Sequence, residues 1–163
     1  YPIVLDLVGP AYTPALSRLK KTLNRIDPES EFVQYLGPIP YEELHVKYSQ
    51  ANLCLFASSC ENMPNILIEG MISGLPIACS NKGPMPEILG DAGVYFDPER
   101  PEDIARALKE LLVSHELRAK LTKTSFELAQ TYSWKRCAGD TLAFISSVIE
   151  DWNADLKHKA KKD

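Results

Sequence analysis

The chain is poor in the residues that mark several common classes of protein. Among 163 residues there are 4 cysteines, 3 histidines, 3 methionines and 2 tryptophans. None of the cysteines (Cys54, Cys60, Cys79 and Cys137) stands in a C-x-x-C pair. That spacing removes zinc-ribbon and thioredoxin-type chemistry, and the four thiols read as reduced side chains in a cytosolic core. His45, His115 and His158 fall on helical stretches among polar neighbours and read as surface residues, not ligands. Basic residues do not outnumber acidic ones: 18 Lys and Arg stand against 22 Asp and Glu, for a net charge of −4. Such a balance provides no field for a nucleic acid. No apolar run approaches the roughly 20 residues needed to cross a bilayer, and no secretory leader is read at the start. The first residue is Tyr1 rather than Met, and residues 2–5 enter a strand at once. The expectation is a piece of a longer protein, cut at a domain edge or inside one.

What is present is ordinary for a globular domain. Hydrophobic residues make up 45% and charged residues 25%, and the length suffices for one domain with a proper core. Short apolar runs at 3–9, 32–36, 53–57, 75–79 and 93–96 read as strands, each closed by Gly, Pro, Ser or Asp. Helices are expected between them. Thr13 with Pro14 opens the first, whose inner face is Leu16, Leu19, Leu23 and Ile26, and Asp27-Pro28 stops it. Residues 41–50 form the second, with Leu44 and Tyr48 facing in. The last third is helical. Pro101 starts a helix with Ile104, Ala105, Leu108, Leu111 and Leu112 at three-and-four spacing, and Glu102 and Arg106 stand at i,i+4. A further helix runs through Leu117, Leu121 and Leu128, and Ser133 caps a final one carrying Trp134, Leu142, Ile145, Val148 and Trp152. Residues 157–162 read as a frayed, basic tail. Continuous apolar strands alternating with helices predict an α/β, doubly wound parallel sheet, Rossmann-like, covered on both faces. In such a sheet ligands sit outside the carboxyl ends of the strands.

One stretch at such an end carries chemistry: Cys60-Glu61-Asn62-Met63-Pro64-Asn65-Ile66-Leu67-Ile68-Glu69-Gly70-Met71. Seven residues separate the two glutamates. A polar loop leads through Pro64 into a helix that is apolar nearly all round, which predicts burial. Glu69 would then be a carboxylate in a greasy helix, costly unless a charge or hydrogen-bond donor meets it. A ligand's vicinal hydroxyls would do so; a salt bridge to Arg or Lys is the plain alternative. Glu61, in the loop, is either a ligand contact or a solvated charge. Pro64 at the helix start leaves backbone N–H groups without partners, with Asn62 or Met63 as the cap residue. Such a terminus suits a phosphate, or simply water.

The run from Glu61 to Glu69, followed by Gly70 to Ile77, resembles the E-x7-E signature of retaining GT-B glycosyltransferases of the family 4 type. Leu36-Gly37-Pro38-Ile39-Pro40 with Glu42-Glu43-Leu44 is similar to the family's base-holding segment, and Gly83-Pro84-Met85-Pro86-Glu87 to its loop after the next strand. Ser133-Trp134 resembles the opening of its closing helix. The likeness runs from Leu5 to about Trp152. It implies that residues 1–152 are the nucleotide-sugar (donor) binding domain, the C-terminal half of a GT-B fold, with 153–163 a polar basic tail and the N-terminal acceptor domain absent. By the same resemblance Glu69 receives ribose hydroxyls, and Glu61, the catalytic candidate, meets the donor hexose near the reacting carbon. The amides of Met63, Asn65 and Ile66 would face sugar and diphosphate across Asn62 and Pro64. Gly37, Pro38 and Ile39 would line the base, and Leu67 would pack near the ribose. No cofactor or metal is implied, only a UDP- or GDP-linked sugar as substrate. The acceptor, a saccharide or lipid, would be held by the missing domain, and a lipid acceptor would bring a cytoplasmic enzyme to the inner face of a membrane.

Two departures stand out. Asn62 occupies a position that is commonly Gly in the family. The family's Gly-Arg and following Lys, which clamp the diphosphate, would precede Tyr1; Arg18 and Lys20 lie on a helix instead. The fragment alone is therefore expected to be inactive. A nucleotide-sugar epimerase on a GT-B-like fold, or a non-catalytic nucleotide-binding module, are the alternatives.

Overall fold

A computed structural model of the chain describes residues 2–159, and the side chains of 2–153. The elements in order are β1 (Leu5–Val8), α1 (Thr13–Ile26), β2 (Val33–Gly37), α2 (Tyr41–Gln50), β3 (Cys54–Phe56), α3 (Asn65–Ile72), β4 (Ile77–Ser80), α4 (Met85–Leu89), β5 (Val94–Phe96), α5 (Pro101–Val113), α6 (His115–Ala129) and α7 (Trp134–Lys159). The alternation is the expected one. All strand pairs are parallel, as the intervening helices require. Hydrogen-bonded strand pairs form two parallel sheets, β1–β2 and β3–β4–β5. The chain likewise divides into two compact units, Tyr1–Gln50 and Ala51–Asp163.

In the first unit, β1 alternates half-buried Leu5 and Leu7 with exposed Asp6 and Val8, the pattern of a strand covered on one face. On α1, Leu16, Leu19 and Leu23 are half-buried as expected, but Ile26 is exposed, because the helix ends there and Asp27 turns the chain away. Thr13 is the first helical residue and caps nothing; the N-cap is Tyr12, without a side-chain hydrogen bond. Asp27 closes the turn. Its carboxylate accepts from the N–H groups of Glu31 at 2.8 Å, Phe32 at 3.1 Å and Val33 at 2.8 Å. Burial works to raise its pKa, but these three donors outweigh burial, and the net shift is downward.

The second unit holds the core. Phe56, Leu67, Met71, Ile77, Cys79, Met85 and Leu89 form one cluster of buried side chains. Ala78, Val94, Phe96, Ala107, Leu111 and Leu121 form another. β4 is the centre strand, buried at every position, so it packs on both faces. On α5, the pattern holds for Leu111, whereas Ala105 is exposed and Ala107 takes the core position. Arg106 does not pair with Glu102. It donates to Asp103 at 2.7 Å, Glu110 at 3.1 Å and the Tyr95 carbonyl at 2.7 Å, while Glu102 pairs with Arg100. Asp103 lies one helical turn before Arg106 and competes well because it also anchors the Asp97 N–H.

Ser114 caps α6 by accepting from Leu117 N–H at 3.2 Å, and Ser133 caps α7 through Arg136 N–H at 3.1 Å. Every described side chain of α7 is exposed, including Trp134 and Trp152. The helix continues to Lys159, so the expected tail starts as helix; residues 160–163 lie outside the described ones. Two thiols depart from the sequence reading. Cys79 is buried and Cys54 half-buried, whereas Cys60 and Cys137 are exposed. Burial pushes the Cys54 thiol up to about 11. Burial, with the neighbouring Cys54, pushes Cys79 up to about 12. Both stay protonated and inert. His45 and His115 are exposed as expected, and the side chain of His158 lies outside the described residues.

Candidate functional site

The carboxyl edge of β3–β4–β5 is bordered by three loops, residues 57–64, 81–84 and 97–100. The first carries Glu61, half-buried, then exposed Asn62 and Met63 and fully buried Pro64. Pro64 is itself the N-cap of α3, with φ −79° and ψ 75°, and no side chain caps the helix. Neither Asn62 nor Met63 takes that place: the ψ of 75° at Pro64 is not helical, so the helix begins one residue later, at Asn65. The Asn65 N–H donates to Met63 O at 2.9 Å, and the Leu67 N–H to Pro64 O at 3.0 Å. The amide that Asn65 was expected to offer a ligand is thus taken. Among the described residues, no protein acceptor meets the Ile66 N–H, and that amide is the one left at the helix's positive end.

The face of α3 is set by what it covers. Leu67, Gly70 and Met71 are buried, while Ile66 and Ile72 are exposed at 58% and 46%. The helix is therefore not buried all round, as its composition implies. It is a two-faced helix whose outer side happens to be apolar. Glu69 is half-buried on this helix rather than sealed in the core. Leu67, by contrast, is fully buried among Phe56, Met71 and Ile77, so its side chain cannot pack near a ribose.

The C-terminus of α3 is well made. Gly74 has φ +69°, Leu75 N–H donates to Gly70 O at 3.4 Å, and Gly74 N–H donates to Met71 O at 3.1 Å. These are the two bonds of a Schellman motif, which turns the chain sharply into β4. Gly70 itself admits β3 closely: a Cβ there would lie 3.1 Å from Cys54 Sγ.

The second loop approaches the first. A Cβ on Gly83 would lie 3.9 Å from the Glu61 carbonyl oxygen. Beside Gly83 stands Lys82, whose Nζ is 3.3 Å from Asp97 Oδ1 in the third loop. Its backbone N–H donates to Ser80 Oγ at 3.2 Å. The sequence reading gave no role to Lys82 or Asp97. The available signal was a cation two residues past a fully buried strand, in a Gly/Pro loop. Gly37, Pro38 and Ile39 belong to the first unit. Gly37 ends β2 with φ +71° and accepts the Gly9 N–H at 2.9 Å; Pro38 is exposed and Ile39 half-buried. Among the described residues no group of His, Cys, Asp and Glu could hold a metal ion, and no helix is long and apolar enough to cross a membrane.

Comparison with known proteins decides the family. The family model of glycosyl transferases group 1 matches residues 2–127. The chain belongs to this family. Among curated relatives, the O-antigen chain mannosyltransferase B of Escherichia coli is 31% identical over 111 residues, 68% of this chain and 29% of that protein. The D-inositol 3-phosphate glycosyltransferase of Corynebacterium glutamicum is 28% identical over 125 residues, 76% of this chain and 30% of that protein. The group 1 domain described here thus spans under a third of the length of these relatives. Among solved structures, sucrose-phosphate synthase from Thermosynechococcus elongatus superimposes with a TM-score of 0.76 at 25% identity, covering 90% of this chain and 39% of that one. HepE of Anabaena in complex with UDP-glucose superimposes with a TM-score of 0.78 at 17% identity, covering 88% and 41%. The α/β fold with parallel, Rossmann-like sheets is that of GT-B glycosyltransferases.

Proposed function

We propose that this group 1 domain is the donor-binding part of a retaining, family 4 type glycosyltransferase that moves a hexose from a UDP- or GDP-linked sugar to an acceptor. The observation that carries the reading is the pair Glu61 and Glu69 bracketing an uncapped helix N-terminus at the carboxyl edge of a parallel sheet. The UDP-glucose bound to the Anabaena neighbour supports a nucleotide-sugar as ligand. Glu69 accepts from the ribose hydroxyls, and the Ile66 amide with the α3 dipole faces the diphosphate. Glu61 meets the hexose beside its anomeric carbon. In the reaction the anomeric C–O bond to the diphosphate breaks and one to an acceptor hydroxyl forms, the acceptor's proton being lost. The departing diphosphate takes the bonding pair, and fixed amide dipoles stabilise that charge without a metal. The acceptor, saccharide or lipid, is held outside this domain, on the cytoplasmic side of a membrane if it is a lipid.

Calorimetric titration of UDP, GDP, ADP and their sugars into the chain and into Glu69→Ala tests this. One nucleotide diphosphate should bind at a Kd of roughly 1 mM, and Glu69→Ala should weaken it about tenfold, the worth of hydrogen bonds to a charged group. A folded chain that binds none of them at ten times that concentration would sink the proposal.

A further inference from the structure

Lys82 and Asp97 form an ion pair across the carboxyl edge of the sheet, with Nζ to Oδ1 at 3.3 Å and side chains exposed to 42% and 28%. Lys82 follows β4 and Asp97 follows β5. The sheet order is β3–β4–β5, so the pair draws the ammonium toward β5, away from the loop that carries Glu61. The backbone of the same segment leans the other way: Gly83 sits where a Cβ would meet the Glu61 carbonyl at 3.9 Å. Lys82 therefore springs from a backbone beside the Glu61 loop while its charge is parked on Asp97. Asp97 is itself fixed. Its N–H donates to Asp103 Oδ2 at 2.8 Å and its carboxylate accepts the Glu99 N–H at 3.1 Å. The backbone of Lys82 is fixed at both ends, its N–H on Ser80 Oγ and its carbonyl on the Met85 N–H at 3.4 Å, while its ammonium has the Asp97 contact.

From this asymmetry we infer that Lys82 is a mobile cation for the donor's diphosphate, held in reserve by Asp97. A lysine is a compact charge on a flexible four-carbon stem. A half-exposed pair holds it by little, whereas a diphosphate offers more charge and more acceptor oxygens. When the donor occupies the α3 N-terminus, the ammonium leaves Asp97 and joins the Ile66 amide on the phosphate oxygens. Lys82 is thus a positioning and charge-balancing group that the chain itself supplies beside Glu61. The inference rests on the donor-site reading above.

The test uses the full 163-residue chain, titrated with UDP and GDP and, in parallel, with uridine and guanosine. Lys82→Ala should weaken the diphosphate about tenfold and leave the nucleoside unchanged, and Lys82→Arg should restore most of the loss. Asp97→Asn should tighten the diphosphate by up to about fivefold, the range set by exposed ion pairs. Far-UV circular dichroism and urea midpoints check that each variant folds. If the parent chain binds neither diphosphate, the donor-site reading falls and this inference with it. If the parent binds but Lys82→Ala binds equally well, or loses nucleoside in step with diphosphate, the role of Lys82 alone is refuted. Unchanged or weaker binding in Asp97→Asn refutes the reserve role of Asp97.

Discussion

Leu67 and Ile66 are adjacent on α3 and face opposite ways, and exchanging each for alanine tests what that helix buries. Leu67 is fully buried among Phe56, Met71, Ile77 and Met85, while Ile66 is 58% exposed. Leu67→Ala removes three carbons; at about 0.8 kcal/mol per buried CH2 the transfer loss is about 2.4 kcal/mol. A cavity contribution adds to this because the neighbours sit on strands and helices pinned by hydrogen bonds and collapse little, giving about 3–4 kcal/mol in all. At roughly 2–4 °C per kcal/mol for a chain of this size, the melting midpoint should fall by about 6–16 °C. Ile66→Ala should stay within about 0.5 kcal/mol. Urea unfolding followed by far-UV circular dichroism measures both. A Leu67→Ala loss under about 1 kcal/mol, or an Ile66→Ala loss as large as that of Leu67→Ala, would refute the assigned core face of α3. It would also restore Leu67 as a side chain available to a ligand.

Two further outcomes follow from the packing. Gly93→Ala should destabilise the second unit by about 1–3 kcal/mol, because its Cβ would lie 2.4 Å from a Leu89 methyl and 3.0 Å from the Ile77 carbonyl oxygen; a urea midpoint at the parent value would contradict the tight contact. Asp27 should give the first unit an acid-sensitive stability. Its folded pKa is lowered, so its contribution is complete above the unfolded carboxylate value of about 4 and is lost as pH falls through the folded one. Asp27→Asn should flatten that part of the stability profile between neutral pH and about pH 2, and an unchanged slope would show that the three amide contacts do not bias the carboxylate.

The sequence legible on its own was the part written in local patterns. Apolar runs closed by Gly, Pro and Asp located every strand to within two residues or so at either end. Pro101 and Ser133 sit at or just before helix starts because capping and the fixed φ of proline are local physics. The spacing of Glu61 and Glu69 around a proline-led helix was legible for the same reason. It places two carboxylates and a helix N-terminus at one strand's carboxyl end without any distant partner.

Tertiary structure decided what periodicity leaves open. Composition made α3 look buried on all sides, but only packing determines which apolar side chains are covered. Leu67 goes to the core and Ile66 to solvent, and Glu69 is half-buried because its side of the helix is not sealed. The partner of Arg106 was equally beyond sequence: Glu102 and Asp103 both lie within helical reach, and the Tyr95 carbonyl, brought by β5, settles the orientation of the guanidinium. Strand pairing into β1–β2 and β3–β4–β5 depends on backbone hydrogen bonds between segments distant in sequence, which no local pattern specifies. Lys82 and Asp97 are separated by a helix and a strand. Only the parallel pairing of β4 with β5, with Ser80 opposite Phe96, brings their charges together at the edge that the Glu61 loop also borders.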